Sequence, residues 1–160
     1  HSSGNITRYS TILLSIRLIW ISHYHGDHMA GFPMLMQQIY QYRCISNRSL
    51  DKILVIVPCD IVKEYYEYVS CICGFDDMIT IININETLYI NNKQLLDSYY
   101  KDFIHQLVSV PVYHCVNAFA VVITFANDIK ICYSGDCRPN NNLTRLGLHC
   151  DLLIHEATFD

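Results

Sequence analysis

Residues 20–31, "WISHYHGDHMAG", set three histidines and an aspartate into the six positions 23–28, directly behind an apolar run that ends at Ile21. Side chains of an extended chain alternate, so His23 and His25 point the same way. Past the turn at Gly26, Asp27 and His28 face a second point a few ångströms on. Imidazole and carboxylate in this spacing are ligands for two ions of the zinc kind, and the plain alternative is a solvated loop with incidental histidines. The apolar residues before the cluster predict a buried strand over 13–21 that leads into the loop. Strand ends are where a rigid scaffold aims reactive side chains.

Working outward, "GFPMLMQQIYQYR" (31–43) predicts a helix with Pro33 in its first turn and Leu35, Ile39 and Tyr42 on one stripe. "ILVIVP" (53–58) predicts a short buried strand. "DIVKEYYEYVSCI" (60–72) predicts a helix capped by Asp60, with Ile61, Tyr65, Val69 and Ile72 on its buried face. "MITIINI" (78–84) and "TLYI" (87–90) predict two strands, and "KQLLDSYYKDFIHQL" (93–107) a helix. Four β-rich runs follow at 107–114, 118–126, 129–134 and 151–157. There are no repeats, linkers or low-complexity stretches. The pattern is that of one layered α/β or α+β domain over 1–160.

The bulk numbers narrow the function. At 160 residues, 51% hydrophobic and 16% charged, the chain has enough apolar residues for a core and excludes a disordered segment. A net charge of -4 argues against a basic surface that coats nucleic acid, without excluding a nucleic-acid substrate. Eight cysteines lie mostly within apolar runs, which predicts buried, reduced thiols and an intracellular protein. Cys71 and Cys73 form a Cys-x-Cys without a second pair, a weak zinc signal. "TILLSIRLIWI" is too short to span a membrane and is interrupted by Arg17, so no membrane partner is expected. The chain opens without Met and stops inside a polar cluster, so it is expected to be part of a longer protein, incomplete at both ends.

Three more clusters carry chemistry. His114 in "VPVYHCVNAF" lies between two strand-like runs, where a lone histidine often simply packs. In "IKICYSGDCRP" a strand delivers Asp136 into a loop, Gly135 permits a sharp turn, and the two carboxylate oxygens can bridge two cations; an ordinary turn aspartate is the alternative. "DLLIHEATFD" presents His155 and Glu156 at a strand end. His1, His105 and His149 read as bystanders.

In this order the clusters resemble the metallo-β-lactamase superfamily, with its H-x-H-x-D-H motif, lone histidine and bridging aspartate. "YSGDCRP" and above all "LLIHEATF" are similar to the corresponding segments of tRNase Z, the endonuclease that trims the 3′ trailer from precursor tRNA. "HMAGFPMLMQQ" and "HCVNAF" also fit, and the resemblance runs from about residue 16 to 160. It implies an αβ/βα sandwich and two Zn²⁺ ions. It assigns His23, His25 and His114 to the first ion, Asp27 and His28 to the second, and Asp136 to both. Asp27 and Glu156 are the implied catalytic residues. Asp27 takes a proton from the attacking water, and Glu156 supports a downstream histidine that protonates the leaving group.

Three departures accompany the resemblance. The family's last zinc-ligand histidine and the histidine partnered by Glu156 both lie beyond residue 160. The opening "HSSGNITRYS" only loosely follows the family's Gly-Glu-Gly-Thr stretch. Between His114 and Asp136 there is room for two strands and a turn but no tRNA-gripping arm, which resembles the carboxy-terminal half of the long form. Implied partners are precursor tRNA and an amino-terminal half that carries the arm, and the implied location is the nucleus or mitochondrion. Asn140, Asn141 and Asn142 are candidates to contact RNA, and Tyr24 to stack on a base. The rival readings are another metallo-β-lactamase-fold hydrolase and a non-catalytic fragment or subunit.

Overall fold

The computed structural model describes residues 8–46, 52–85, 100 and 102–158. The first half alternates helix and strand: α1 (Arg8–Ser15), β1 (Leu18–Trp20), α2 (Gly26–Met29), α3 (Phe32–Ser46), β2 (Ile53–Val57), α4 (Asp60–Cys73), a 3₁₀ turn (Asp76–Met78) and β3 (Ile79–Asn83). Its three strands form a parallel sheet in the order β1-β2-β3, with Ile19 opposite Val55 and Val55 opposite Ile81. The second half is β4 (Ile104–Pro111), β5 (Phe119–Phe125), β6 (Lys130–Tyr133), α5 (Asn141–Gly147) and β7 (Leu152–Ile154). These strands form a sheet in the order β4-β5-β6-β7, antiparallel except for the parallel pair β6 and β7.

β2 explains the layering. All five of its residues are buried, as expected for a central strand of a parallel sheet. Alternation sends Ile53, Val55 and Val57 toward Met36, Ile39, Val62 and Tyr66 of the helices, and Leu54 and Ile56 toward Leu107, Phe119 and Val121 of the other sheet. The far face of the second sheet packs Val110, Ala120 and Val122 with Leu143 of α5. The result is the expected helix–sheet–sheet–helix sandwich.

Four local expectations are corrected. Residues 8–15 are helical, and the strand is confined to Leu18–Trp20. Ser10, Leu13 and Leu14 are buried at helical spacing, and Arg17 Nη1 donates to Leu14 O at 2.8 Å, so the arginine closes a helix. The buried face of α4 is Val62, Tyr66 and Ser70, while Ile61 and Ile72 are 77% and 65% exposed. Tyr66 decides the rotation by stacking on Phe32 at 3.8 Å and donating from its hydroxyl to Met29 O at 2.7 Å. Cys59, not Asp60, is the N-cap of α4, and Asp60 instead accepts from Asn83 Nδ2. Residues 104–107 belong to β4, where pairing with β5 overrides helical preference.

The expected strand at 87–90 and the first part of the 93–107 helix lie outside the described residues. The 31–43 helix forms, with Phe32, Met36, Ile39 and Arg43 buried and Leu35 and Tyr42 at the margins. The cysteines divide: Cys59, Cys132 and Cys137 are buried, but Cys44, Cys71 and Cys73 are exposed on helices, and all eight are free thiols. Among the described residues no helix is long and apolar enough to cross a membrane.

Candidate metal centre

The histidine segment bridges the two sheets. Ile21 N donates to Ile56 O at 2.9 Å on the first sheet, and Ser22 O accepts from Phe119 N at 3.0 Å on the second. His23 is thereby buried completely. His25 is the N-cap of α2, its carbonyl accepting from His28 N and Met29 N, and this single turn swings His28 back beside His23. His114 sits in the turn between β4 and β5, closed by Val112 N to Ala118 O and Ala118 N to Cys115 O. Asn117 takes φ +58° there, a left-handed conformation that asparagine tolerates well.

Asp136 arrives after β6 on a loop that passes very close to the histidine segment. Gly135 has φ +55°, and a Cβ at this position would lie 2.9 Å from Ser22 Cβ and 3.0 Å from Phe119 O. Only glycine fits. Ser134 N donates to Ile154 O, Glu156 N donates to Ser134 Oγ at 3.0 Å, and Cys137 N donates to Glu156 Oε1. The Thr158 side chain and then the Cys137 N–H hold the Glu156 carboxyl below its usual range. Arg138 N, donating to Tyr113 O, ties this loop to the His114 turn.

Donor atoms converge at this seam. His25 Nδ1 lies 3.0 Å from His23 Nε2 and 3.2 Å from His114 Nε2. Asp136 Oδ2 lies 3.4 Å from His28 Nε2, 3.6 Å from His114 Nε2 and 3.8 Å from His23 Nε2. Two donors that share a tetrahedral zinc at about 2.0–2.1 Å stand roughly 3.3–3.4 Å apart, and these separations straddle that value. Hydrogen bonding alone cannot satisfy the arrangement. His25 Nδ1 carries either one proton or one lone pair, yet two ring nitrogens face it. Burial, with His28 alongside, holds the His23 imidazole down at about 4, so it is neutral, as a ligand must be. Ser22 Oγ, 3.0 Å from His23 Nδ1, leaves Nε2 as the atom turned to the site. The residues fit a metal.

Among the described residues two donor groups close to within 4.8 Å: His23, His25, His114 and Cys115, and His23, His28 and Asp136. Five of the six expected ligands are therefore together. Asp27, with a side chain 79% exposed, stands at the rim, 3.4 Å from His28 Nε2, and belongs to neither group. Cys71 and Cys73 are also in neither. Sequence reading missed Ser22 and Cys115. The available signals were their positions directly beside His23 and His114. Asn140 Oδ1 caps α5 by accepting from Leu143 N, and its Nδ2 donates to Pro111 O.

A multi-histidine and carboxylate centre at the seam of a helix–sheet–sheet–helix sandwich defines a metallo-β-lactamase-type protein. No family model matches the chain. It is 26% identical over 156 residues to human zinc phosphodiesterase ELAC protein 2, a match covering 93% of this chain and 19% of that protein. It is 29% identical over 167 residues to the Drosophila melanogaster protein named ribonuclease Z, mitochondrial, covering all of this chain and 20% of that one. The crystal structure of a long-form RNase Z from yeast superposes with a TM-score of 0.79 at 25% identity, over 95% of this chain and 24% of that one. In sequence and in fold the chain is similar to the ribonuclease Z (tRNase Z) proteins of the metallo-β-lactamase superfamily. It spans about a fifth of the length of the curated relatives it matches.

Proposed function

We propose that this chain is the metal-bearing portion of a zinc-dependent endoribonuclease that removes the 3′ trailer from precursor tRNA by hydrolysing the phosphodiester after the discriminator nucleotide. The convergence of His23, His25, His28, His114 and Asp136 carries the reading. The first three-histidine group would hold one ion, and His28 with Asp136 a second. Bound zinc supplies a hydroxide near neutral pH and stabilises charge on phosphoryl oxygens. Asp27, exposed beside His28, is placed to take the proton of the attacking water.

Beside the support of a downstream histidine that the sequence suggested, Glu156 has a second role in this proposal. Its carboxylate receives the Cys137 N–H, one residue past Asp136, so it is a positioning residue that fixes the Asp136 loop. The net charge of -4 and the fifth of the relatives' length that the chain spans support a division of labour in which a separate arm-bearing portion grips the tRNA. Action in the mitochondrion, which the name of the Drosophila relative supports, or in the nucleus is part of the same proposal.

The test is cleavage of an end-labelled precursor tRNA by the chain together with its arm-bearing portion, with zinc supplied, and mapping of the cut. Cleavage after the discriminator to leave a 3′-hydroxyl, lost in Asp136→Asn, is the expected result. No cleavage, a cut elsewhere, or equal product from Asp136→Asn would overturn the reading.

A further inference from the structure

A cavity of about 470 Å³ has Pro111 and Tyr113, at the end of β4, on one wall and Pro139, Asn141 and Asn142 on the other. Alternation sends Val112 into the core and leaves Pro111 and Tyr113 outward, with Tyr113 72% exposed. Two hydrogen bonds hold the walls together: Arg138 N donates to Tyr113 O at 2.9 Å, and Asn140 Nδ2 donates to Pro111 O at 3.1 Å. Asn140 also accepts from Leu143 N, so its amide is engaged at both ends, whereas Asn141 and Asn142 are exposed. Both walls adjoin the metal centre along the chain. Tyr113 directly precedes His114, and Pro139 follows Asp136 by three positions.

Among the described residues no charged side chain lines this cavity, and α5 behind it has only seven residues, so nothing there favours a phosphate. The walls offer an aromatic ring, two proline rings, and amides that each carry donors and an acceptor. That combination suits a flat, neutral ring system with hydrogen-bonding edges, and the volume is within the range of small-ligand sites. We propose that the cavity takes one unpaired base of the RNA beside the scissile phosphodiester, with Tyr113 as its stacking platform and Asn141 and Asn142 reading its edge. The proposal rests on the RNA-hydrolase reading of the metal centre and deepens it. Single-stranded RNA is recognised in this way, by bases splayed out, stacked on aromatic rings and hydrogen-bonded along their edges. Adjacent Cα atoms stand about 3.8 Å apart, so a base held at Tyr113 belongs to a nucleotide next to the phosphate that meets the ions at His114. Holding that base sets the phosphate in register with the metal centre.

Precursor tRNA carrying 5-iodouridine on one or the other side of the cut, bound to the chain together with its arm-bearing portion, should crosslink under ultraviolet light to Tyr113, located by mass spectrometry. The position that crosslinks tells whether the base comes from the tRNA or from the trailer. Tyr113→Ala leaves the fold intact, because the side chain is exposed and the backbone carbonyl keeps the Arg138 N–H. It should raise KM about 5- to 100-fold with kcat little changed, and Tyr113→Phe should restore the parental value. An abasic nucleotide at the crosslinked position should raise the parent's KM similarly and add nothing in Tyr113→Ala. In an Asn141→Ala/Asn142→Ala double variant the preference among the four bases at that position should flatten, and an unchanged preference would overturn the reading by these amides. Crosslinks that avoid Tyr113, or an abasic penalty as large in Tyr113→Ala as in the parent, would overturn the pocket and leave the metal-centre reading standing. Failure of the parent to cleave unmodified precursor would overturn that reading instead, while the crosslink, which needs no cleavage, still decides the pocket.

Discussion

β2 and β7 are both short apolar strands, yet every residue of β2 is buried and every residue of β7 is about half exposed, from 48% to 56%. The site draws on both sheets and inherits the difference. His23 hangs from the first sheet and is fixed by close packing on all sides, with no exposure. Asp136 hangs from the second, 34% exposed, and is fixed by backbone and side-chain hydrogen bonds among Ser134, Cys137, Ile154 and Glu156. One ligand is held by volume and the other by polar contacts. The two should therefore fail under different perturbations.

The largest effect is expected in the first half. Tyr66→Ala removes a ring stacked on Phe32 and should cost about 3–5 kcal/mol, measured by denaturant unfolding. Tyr65→Ala, one position along and 40% exposed, should cost under about 0.5 kcal/mol. Equal costs would mean that α4 buries a different face.

Next comes pH. His23 titrates at about 4 in the folded chain against 6.5 when unfolded, so the unfolded state binds the extra proton in that window. Stability of the metal-free chain is then complete above about 6.5 and declines by roughly 3 kcal/mol as pH falls to about 4. Unfolding series at several pH values, compared with His23→Gln, check this. A parent curve that falls no further than the variant's would contradict it.

On the second sheet, Gly135→Ala should cost about 1–3 kcal/mol through the left-handed backbone and the contact with Ser22. It should also weaken zinc binding, since it displaces Asp136. Glu156→Ala should lower zinc affinity by roughly 10–100-fold, while Glu156→Gln, whose amide oxygen still accepts the Cys137 N–H, should bind near the parental level. Failure of the glutamine variant to rescue would return Glu156 to a role that needs its charge. The smallest effect belongs to Leu153→Thr on the exposed strand, within about 0.5 kcal/mol.

What the sequence disclosed follows the same division. The 23–28 cluster, the all-apolar β2 and the layered α/β class were legible because each rests on local pattern: ligand spacing, an unbroken apolar run, and alternation of strand and helix; the sandwich itself came from the family resemblance. The α4 face was misread because Ile61, Tyr65, Val69 and Ile72 are as apolar as the face that is buried. Only the tertiary partners Phe32 and Met29 select Tyr66. Residues 13–15 were misread because a helix and a strand abut within one apolar stretch, with Arg17 closing the first where it looked like a mere interruption. Asp136 could be picked out by its place after Gly135. The hold of Glu156 on the Cys137 N–H spans 19 positions and has no local signature.

The account stands on two donor groups meeting at one seam, and zinc stoichiometry tests this most directly. Native mass spectrometry of the zinc-loaded chain should find two ions in the parent and fewer in His23→Ala, while His114→Ala, which disrupts only the first group, retains one. A parent that binds no zinc, or a His23→Ala variant that still binds two, would contradict it.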